Sequence, residues 1–213
     1  MAKVLVGWNS TSGTKAMTLS DRLNAFKAAF PKTPASWPWL SEEKGKPAIY
    51  GVWVIGNDYR NASGYYGSYP PSYLKRVMAL FPDATPTTTL HVFSGSLAAG
   101  PYTRCDLMQP AEFSCDVVDL PAVMRAARHP LQQLVIADPP YSAEDAVHYG
   151  TKMVNRRLAM AALSEITAVS GYLVWLDTVW PMHRKDQWRT AGRILIQRST
   201  NHRARVCTIF ERV

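Results

Sequence analysis

Short apolar runs punctuate the second half of this chain, and each is too brief to be anything but a buried strand. Thr89 to Phe93, Leu134 to Ala137 and Tyr172 to Leu176 are the clearest, and helical patterning separates them. Ser72 to Phe81 places Leu74, Val77, Met78 and Phe81 at spacings of three and four, behind Pro70 and Pro71 at a helix start. Leu120 to Arg128 and Asp145 to Val169 also read as helices. Tyr102 to Cys105 and Val117-Val118 read as two more strands, and Arg193 to Gln197 and Arg205 to Phe210 as a terminal strand pair around a polar turn. Strands alternating with helices imply an α/β sheet, closed here by an antiparallel hairpin. In such sheets ligands bind beyond the carboxyl ends of the strands, so chemistry is sought there.

Upstream the pattern is weaker. Leu19 to Phe30 is a helix that Thr18 or Ser20 can cap and Pro31 stops. Ile49 to Ile55 is rich in β-branched and aromatic residues, as a strand is. A loop dense in Gly, Asn and Tyr follows. With 213 residues, 47% of them hydrophobic, one compact domain is expected. Cys105, Cys115 and Cys207 are odd in number and scattered, which argues against a disulfide framework or a structural zinc site. His148 and His183 lack partners at metal spacing, so no metal is expected. No run of apolar residues approaches a membrane span, and the short Val4-Leu5-Val6 run is not a signal peptide; a cytoplasmic protein without a membrane partner is expected.

The sharpest motif, Asp138-Pro139-Pro140-Tyr141, follows directly on the strand Leu134 to Ala137. Two prolines fix φ at consecutive positions and end the ladder, holding the flanking carboxylate, the Pro139 carbonyl and the aromatic ring rigidly. An exocyclic amine has its lone pair delocalised into its ring. Two acceptors can draw that nitrogen toward tetrahedral geometry and stabilise the positive charge that develops on it, while an aromatic ring offers the unstacked base a platform.

Here the chain resembles the S-adenosylmethionine-dependent amino-methyltransferases of DNA, which act on adenine N6 or cytosine N4 and carry Asp-Pro-Pro-Tyr as their catalytic motif. The family also has a Phe-x-Gly-x-Gly cofactor loop, matched here by Phe93-Ser94-Gly95-Ser96; its second glycine is replaced by Leu97, and the next glycine is Gly100. The resemblance implies a Rossmann-like methyltransferase fold with a mostly parallel seven-stranded sheet and a C-terminal antiparallel hairpin, over about residue 65 to the end. Residues 1–64 are then an N-terminal extension packed on or bordering that domain. The implied cofactor is S-adenosylmethionine, with Asp106 on its ribose, Asp119 near its adenine (Asp116 competing), and Tyr69 and Ser72 beside its methionine end. Asp138, Pro139, Pro140 and Tyr141 are the implied catalytic residues.

A formal net charge of +8 suits a polyanionic partner. No recognition insertion follows Tyr141, so contacts to nucleic acid are expected from loops: Trp180, His183, Arg184 and Lys185 after the strand Tyr172 to Leu176, and Arg60, Tyr65 and Tyr66 in the loop after Ile55. DNA is favoured over RNA, with loose sequence specificity. Two alternatives stand beside this: methylation of adenine N6 or guanine N2 in RNA, and an inactive nucleic-acid-binding or partner subunit, which Leu97 would suit. A small-molecule or protein methyltransferase fits less well, because Asp138 stands where glutamine-modifying relatives have Asn. Homodimer and partner-subunit assembly both stay open.

Overall fold

The computed structural model describes residues 16–56, 69–70, 72–198 and 201–213. Thr18 opens the first helix, α1 (Leu19–Ala29), through a reciprocal capping box with Asp21, and the helix closes at Phe30. A hairpin follows, β1 (Trp39–Glu43) and β2 (Lys46–Ile55), then α2 (Tyr73–Leu80). The alternating part contains β3 (Thr89–Val92), β4 (Thr103–Cys105), α3 (Leu120–Ala126), β5 (Gln132–Ala137), α4 (Ala143–His148), α5 (Arg156–Ile166) and β6 (Thr167–Asp177). The chain ends in β7 (Trp188–Arg198) and β8 (Asn201–Arg212).

These strands form one eight-stranded sheet in the order β1-β2-β7-β8-β6-β5-β3-β4. β4, β3, β5 and β6 run parallel to one another. β8 is antiparallel to both of its neighbours, β6 and β7, which gives the expected C-terminal hairpin. β2 pairs parallel with β7 and carries β1 on the outer edge.

Apolar residues divide cleanly between the two faces of the sheet. On one face α1 and α2 cover Ile49, Trp53, Ile194, Ile196, Ile136 and Val174, and Trp53 stacks on Phe26 of α1 with ring centroids 5.6 Å apart. On the other, α3 and α5 cover Leu90, Val92, Val135, Leu173 and Trp175. Every residue of β3 is buried, because helices lie on both sides of it. That double burial encloses even the polar Thr89 and His91. Each large side chain so enclosed contributes about 1.5–3 kcal/mol.

Three expectations need correction. The sheet has eight strands where seven were expected, because residues after 65 supply six and the β1–β2 hairpin adds two at the edge. Val117-Val118 is not a strand: Asp116 to Asp119 form a turn closed by the Asp119 N–H donating to the Asp116 carbonyl at 3.0 Å, and two residues cannot sustain a ladder alone. The expected helix Asp145 to Val169 is two helices and the start of a strand. α4 ends at Tyr149-Gly150, where Gly150 takes φ +70°, a left-handed backbone that terminates helices. α5 restarts behind an Asn155 cap, and β6 begins at Thr167.

Candidate active site at the strand ends

The cofactor-loop residues leave β3 through an unusual backbone. Phe93 has φ +58° and Gly95 φ +52°. Gly95 adopts this freely, whereas a bulky Phe there is strained, and such strain persists where surrounding structure over-determines it, often at functional sites. Leu97 is not among the positive-φ residues. Its N–H closes a turn onto the Ser94 carbonyl at 3.0 Å, and its own carbonyl accepts from Arg104 at 2.8 Å. The position therefore has no conformational need for the glycine that the family pattern carries. Ser94 is buried, and its Oγ has no partner among the described residues.

Ser96 and Leu97 face Tyr69, Pro70, Ser72 and Leu74 across a cleft of about 390 Å3. The segment before α2 and the loop after β3, far apart in the chain, are thus brought together as the sequence suggested. Behind the cleft the Tyr69 hydroxyl lies 3.3 Å from His91 Nδ1, and the Tyr69 ring stacks on Tyr73. Burial pushes the Tyr69 hydroxyl well above its usual range and the His91 imidazole down to about 4, so both are neutral near pH 7.

Asp106 follows β4 as expected, but its carboxylate is already engaged. Oδ2 accepts the Gly95 N–H at 2.8 Å, while Oδ1 accepts the N–H groups of Met108 at 2.9 Å and Gln109 at 2.8 Å. A carboxylate has about four acceptor positions. With three filled, Asp106 staples the loop after β3 and can take one further bond, not the two of a vicinal diol. Asp119 is an exposed residue at the start of α3, and Asp116 accepts the Val118 N–H within its own turn at 2.9 Å.

The Asp138–Tyr141 segment leaves β5 beside this loop, and the Asp138 N–H donates to the Val92 carbonyl at 3.4 Å. The Tyr141 hydroxyl donates to Asp138 Oδ1. Pro139 and Pro140 are buried beneath them. Burial, with the nearby Asp177 carboxylate, pushes the Asp138 carboxyl up to about 6, against the opposing pull of Arg205 and the Tyr141 hydrogen bond.

Three residues that hold this segment escaped the sequence reading. Asp177, fully buried at the end of β6, accepts from Arg156 Nε at 2.7 Å and a second guanidinium nitrogen at 3.1 Å, and also from Trp175 Nε1 at 3.0 Å. The same guanidinium donates to the Tyr141 carbonyl at 3.3 Å. Arg156 therefore ties the Asp138–Tyr141 loop to the neighbouring strand end. Arg205, on β8, lies with its guanidinium carbon 4.6 Å from the centre of the Tyr141 ring. Asp177 does end a strand, and that was the signal in the sequence; nothing local marked Arg156 or Arg205.

The loop after β6 is less closely held. Trp180 is 62% exposed beneath the Arg193 guanidinium, which lies 4.5 Å from its ring and is itself paired with Glu43. His183 packs on Phe210 at 4.9 Å, and burial lowers its pKa. Phe210 pairs with Leu173, four residues before the strand end at Asp177, so the ring that His183 packs on lies about 13 Å back along the sheet from that end. Arg184 pairs locally with Asp186, and Lys185 is exposed. Arg60, Tyr65 and Tyr66 lie outside the described residues. Among the described residues no cluster of His, Cys, Asp and Glu could hold a metal ion, and no helix is long and apolar enough to cross a membrane.

No protein-family model matches the sequence, and no curated protein matches it. Among solved structures, that of TrmN from Thermus thermophilus matches with a TM-score of 0.50 at 12% identity, over 70% of this chain and 50% of that one. A putative SAM-dependent methyltransferase from Streptococcus mutans matches at TM-score 0.39 and 14% identity, over 81% of this chain and 55% of that one. The putative methyltransferase yhhF from Escherichia coli matches at 0.38 and 12%, over 84% and 94%. The chain spans about half the length of the first two of these structures. The likeness to TrmN shows the fold, an α/β Rossmann-like sheet with an antiparallel C-terminal hairpin.

Proposed function

We propose that this chain transfers a methyl group from S-adenosylmethionine to the exocyclic amino group of a nucleic-acid base, with adenine N6 in DNA as the first acceptor to test and loose sequence specificity. One observation carries the reading: a carboxylate, a rigid Pro-Pro segment and an aromatic ring stand at the end of β5, hydrogen-bonded to the end of β3, whose loop borders the cleft.

The residues present fit the cofactor. A left-handed Gly95 lets backbone approach a ligand closely. The buried Ser94 hydroxyl lacks a partner. Tyr69, Ser72 and Ser96 line one space large enough for a small ligand. Tyr69, Ser72 and Ser94 to Ser96 would hold it, with Asp106 fixing the loop. Bound there, S-adenosylmethionine supplies an electrophilic methyl group.

Everything else is done by the chain. Asp138 and the Pro139 carbonyl accept hydrogen bonds from the amino group and stabilise its developing positive charge. Tyr141 stacks on the base. Arg156 and Asp177 keep the loop in place. The proton lost from nitrogen passes to Asp138, whose raised pKa suits a proton acceptor working near neutrality, or to water.

A second reading has RNA as the acceptor, at adenine N6 or guanine N2. It is favoured by the shortness of the segment between Tyr141 and α5, which contains only α4 and leaves no room there for a sequence-reading domain. The net charge serves either polymer. Labelled methyl transfer to duplex DNA, single-stranded DNA and RNA, followed by mass analysis of the nucleosides, separates the two. Methylation confined to one long recognition site would refute loose specificity, and failure to bind S-adenosylmethionine would favour the inactive subunit.

A further inference from the structure

Both groups assigned to the acceptor base are engaged with the chain itself. The Tyr141 hydroxyl occupies one oxygen of Asp138, and the Arg205 guanidinium covers the Tyr141 ring. Arg205 reaches that ring from the C-terminal hairpin. It lies opposite Ile196 of β7 and next to Val206, which pairs with Asp177 at the catalytic end of β6. Among the described residues it has no ion pair, whereas Arg189 and Arg193 on neighbouring β7 each hold a carboxylate. Its charge acts on Asp138 from a distance, but its donors hold no carboxylate of their own and can turn to a ligand.

We propose that Arg205 holds the acceptor's place on Tyr141 and is exchanged for the base on binding, after which its guanidinium pairs with a phosphate of the same nucleic-acid strand. The inference rests on the reading of Tyr141 as the stacking platform.

The physics of the exchange is balanced. Guanidinium and nucleobase are both planar and both bind an aromatic face, one as a cation and one by stacking. Replacing the first by the second costs little at the ring. The displaced guanidinium then gains a phosphate, for which its paired donors have the right geometry. An acceptor that brings base and phosphate together satisfies both groups at once, whereas a free nucleoside must displace Arg205 and offers it nothing. Arg205 thereby selects polymer over free base.

The test is binding of a fluorescent single-stranded oligonucleotide across a salt series, alongside binding of adenosine, for the unaltered protein, Arg205→Ala and Arg205→Lys. Loss of one phosphate contact should reduce the slope of log affinity against log salt by about 0.7 in Arg205→Ala. The same variant should bind adenosine more tightly, because its ring is uncovered. Arg205→Gln, which keeps most of the side chain but removes its charge, should lose the same slope and carries the test if the alanine variant fails to fold, while Arg205→Lys should keep the slope. An Arg205→Ala protein with unchanged salt slope and unchanged adenosine affinity would overturn the exchange while leaving the acceptor reading intact. An unaltered protein that binds neither ligand would overturn both, and a parallel titration with S-adenosylmethionine shows whether the cofactor assignment survives.

Discussion

The loops after β5 and β6 leave adjacent strands at the same edge of the sheet, and both carry an aromatic residue and a Pro, yet they are held very differently. Asp138–Tyr141 is fixed by two prolines, by the Val92 carbonyl, by Arg156 on its carbonyl and by Arg205 over its ring. Trp180–Lys185 is mostly exposed, pairs Arg184 only with its near neighbour Asp186, and descends away from the edge. Preorganised acceptors act on a transition state because they need not move at the moment of reaction. By that standard the first loop is the better arranged for chemistry, and the second for contact at most.

Breaking the first loop should have the largest effect. Asp138→Ala should lower turnover by about 10²–10³-fold or more in a methyl-transfer assay, while calorimetry shows S-adenosylmethionine affinity preserved. Next comes the tie behind it. Arg156→Ala leaves the Asp177 carboxylate buried without its cation, and should destabilise the fold by about 3 kcal/mol in urea titration. Arg156→Lys should recover part of that stability but not the two-point geometry.

A third test sharpens the role of Asp138 itself. Its carboxyl must be ionised to accept from an amine, and its pKa is raised to about 6, so the rate should fall as pH drops through about 6. The Tyr141 hydrogen bond lowers that pKa, so Tyr141→Phe should move the acid limb to higher pH while keeping a ring to stack on. An acid limb that stays in place would separate Asp138 from the titration. The smallest effect belongs to the second loop: Arg184→Ala should leave the melting temperature and turnover unchanged, because its pair is exposed and local. A large loss there would equalise the two loops and undo the comparison.

Features carried by neighbouring residues were legible in the sequence. The Pro-Pro segment ends β5 through its own stereochemistry, Gly95 marks the tight turn after β3, and the apolar runs announce strands covered on both faces. Tyr69 and Ser72, which line the cleft, came from the resemblance of a local segment at a helix start. What escaped depends on the order of strands. Arg156 reaches Asp177 and Tyr141 only because α5 packs back on the sheet, and Arg205 reaches Tyr141 only because β8 inserts beside β6. Arg205 reads as the start of a strand, and nothing near it in sequence shows what it faces. Asp106 drew notice from its strand end, but its three backbone partners depend on how two loops fold against each other. The eighth strand was hidden because Trp39–Glu43 is almost wholly exposed and has no apolar alternation to announce it.

Transfer of labelled methyl from S-adenosylmethionine to duplex DNA, single-stranded DNA and RNA, run side by side with the unaltered protein and Asp138→Ala, tests the central claim most directly. N6-methyladenine in the DNA digest, absent with Asp138→Ala, is the predicted result. Equal transfer by both proteins, or none to any of the three polymers while the cofactor is bound, would contradict it.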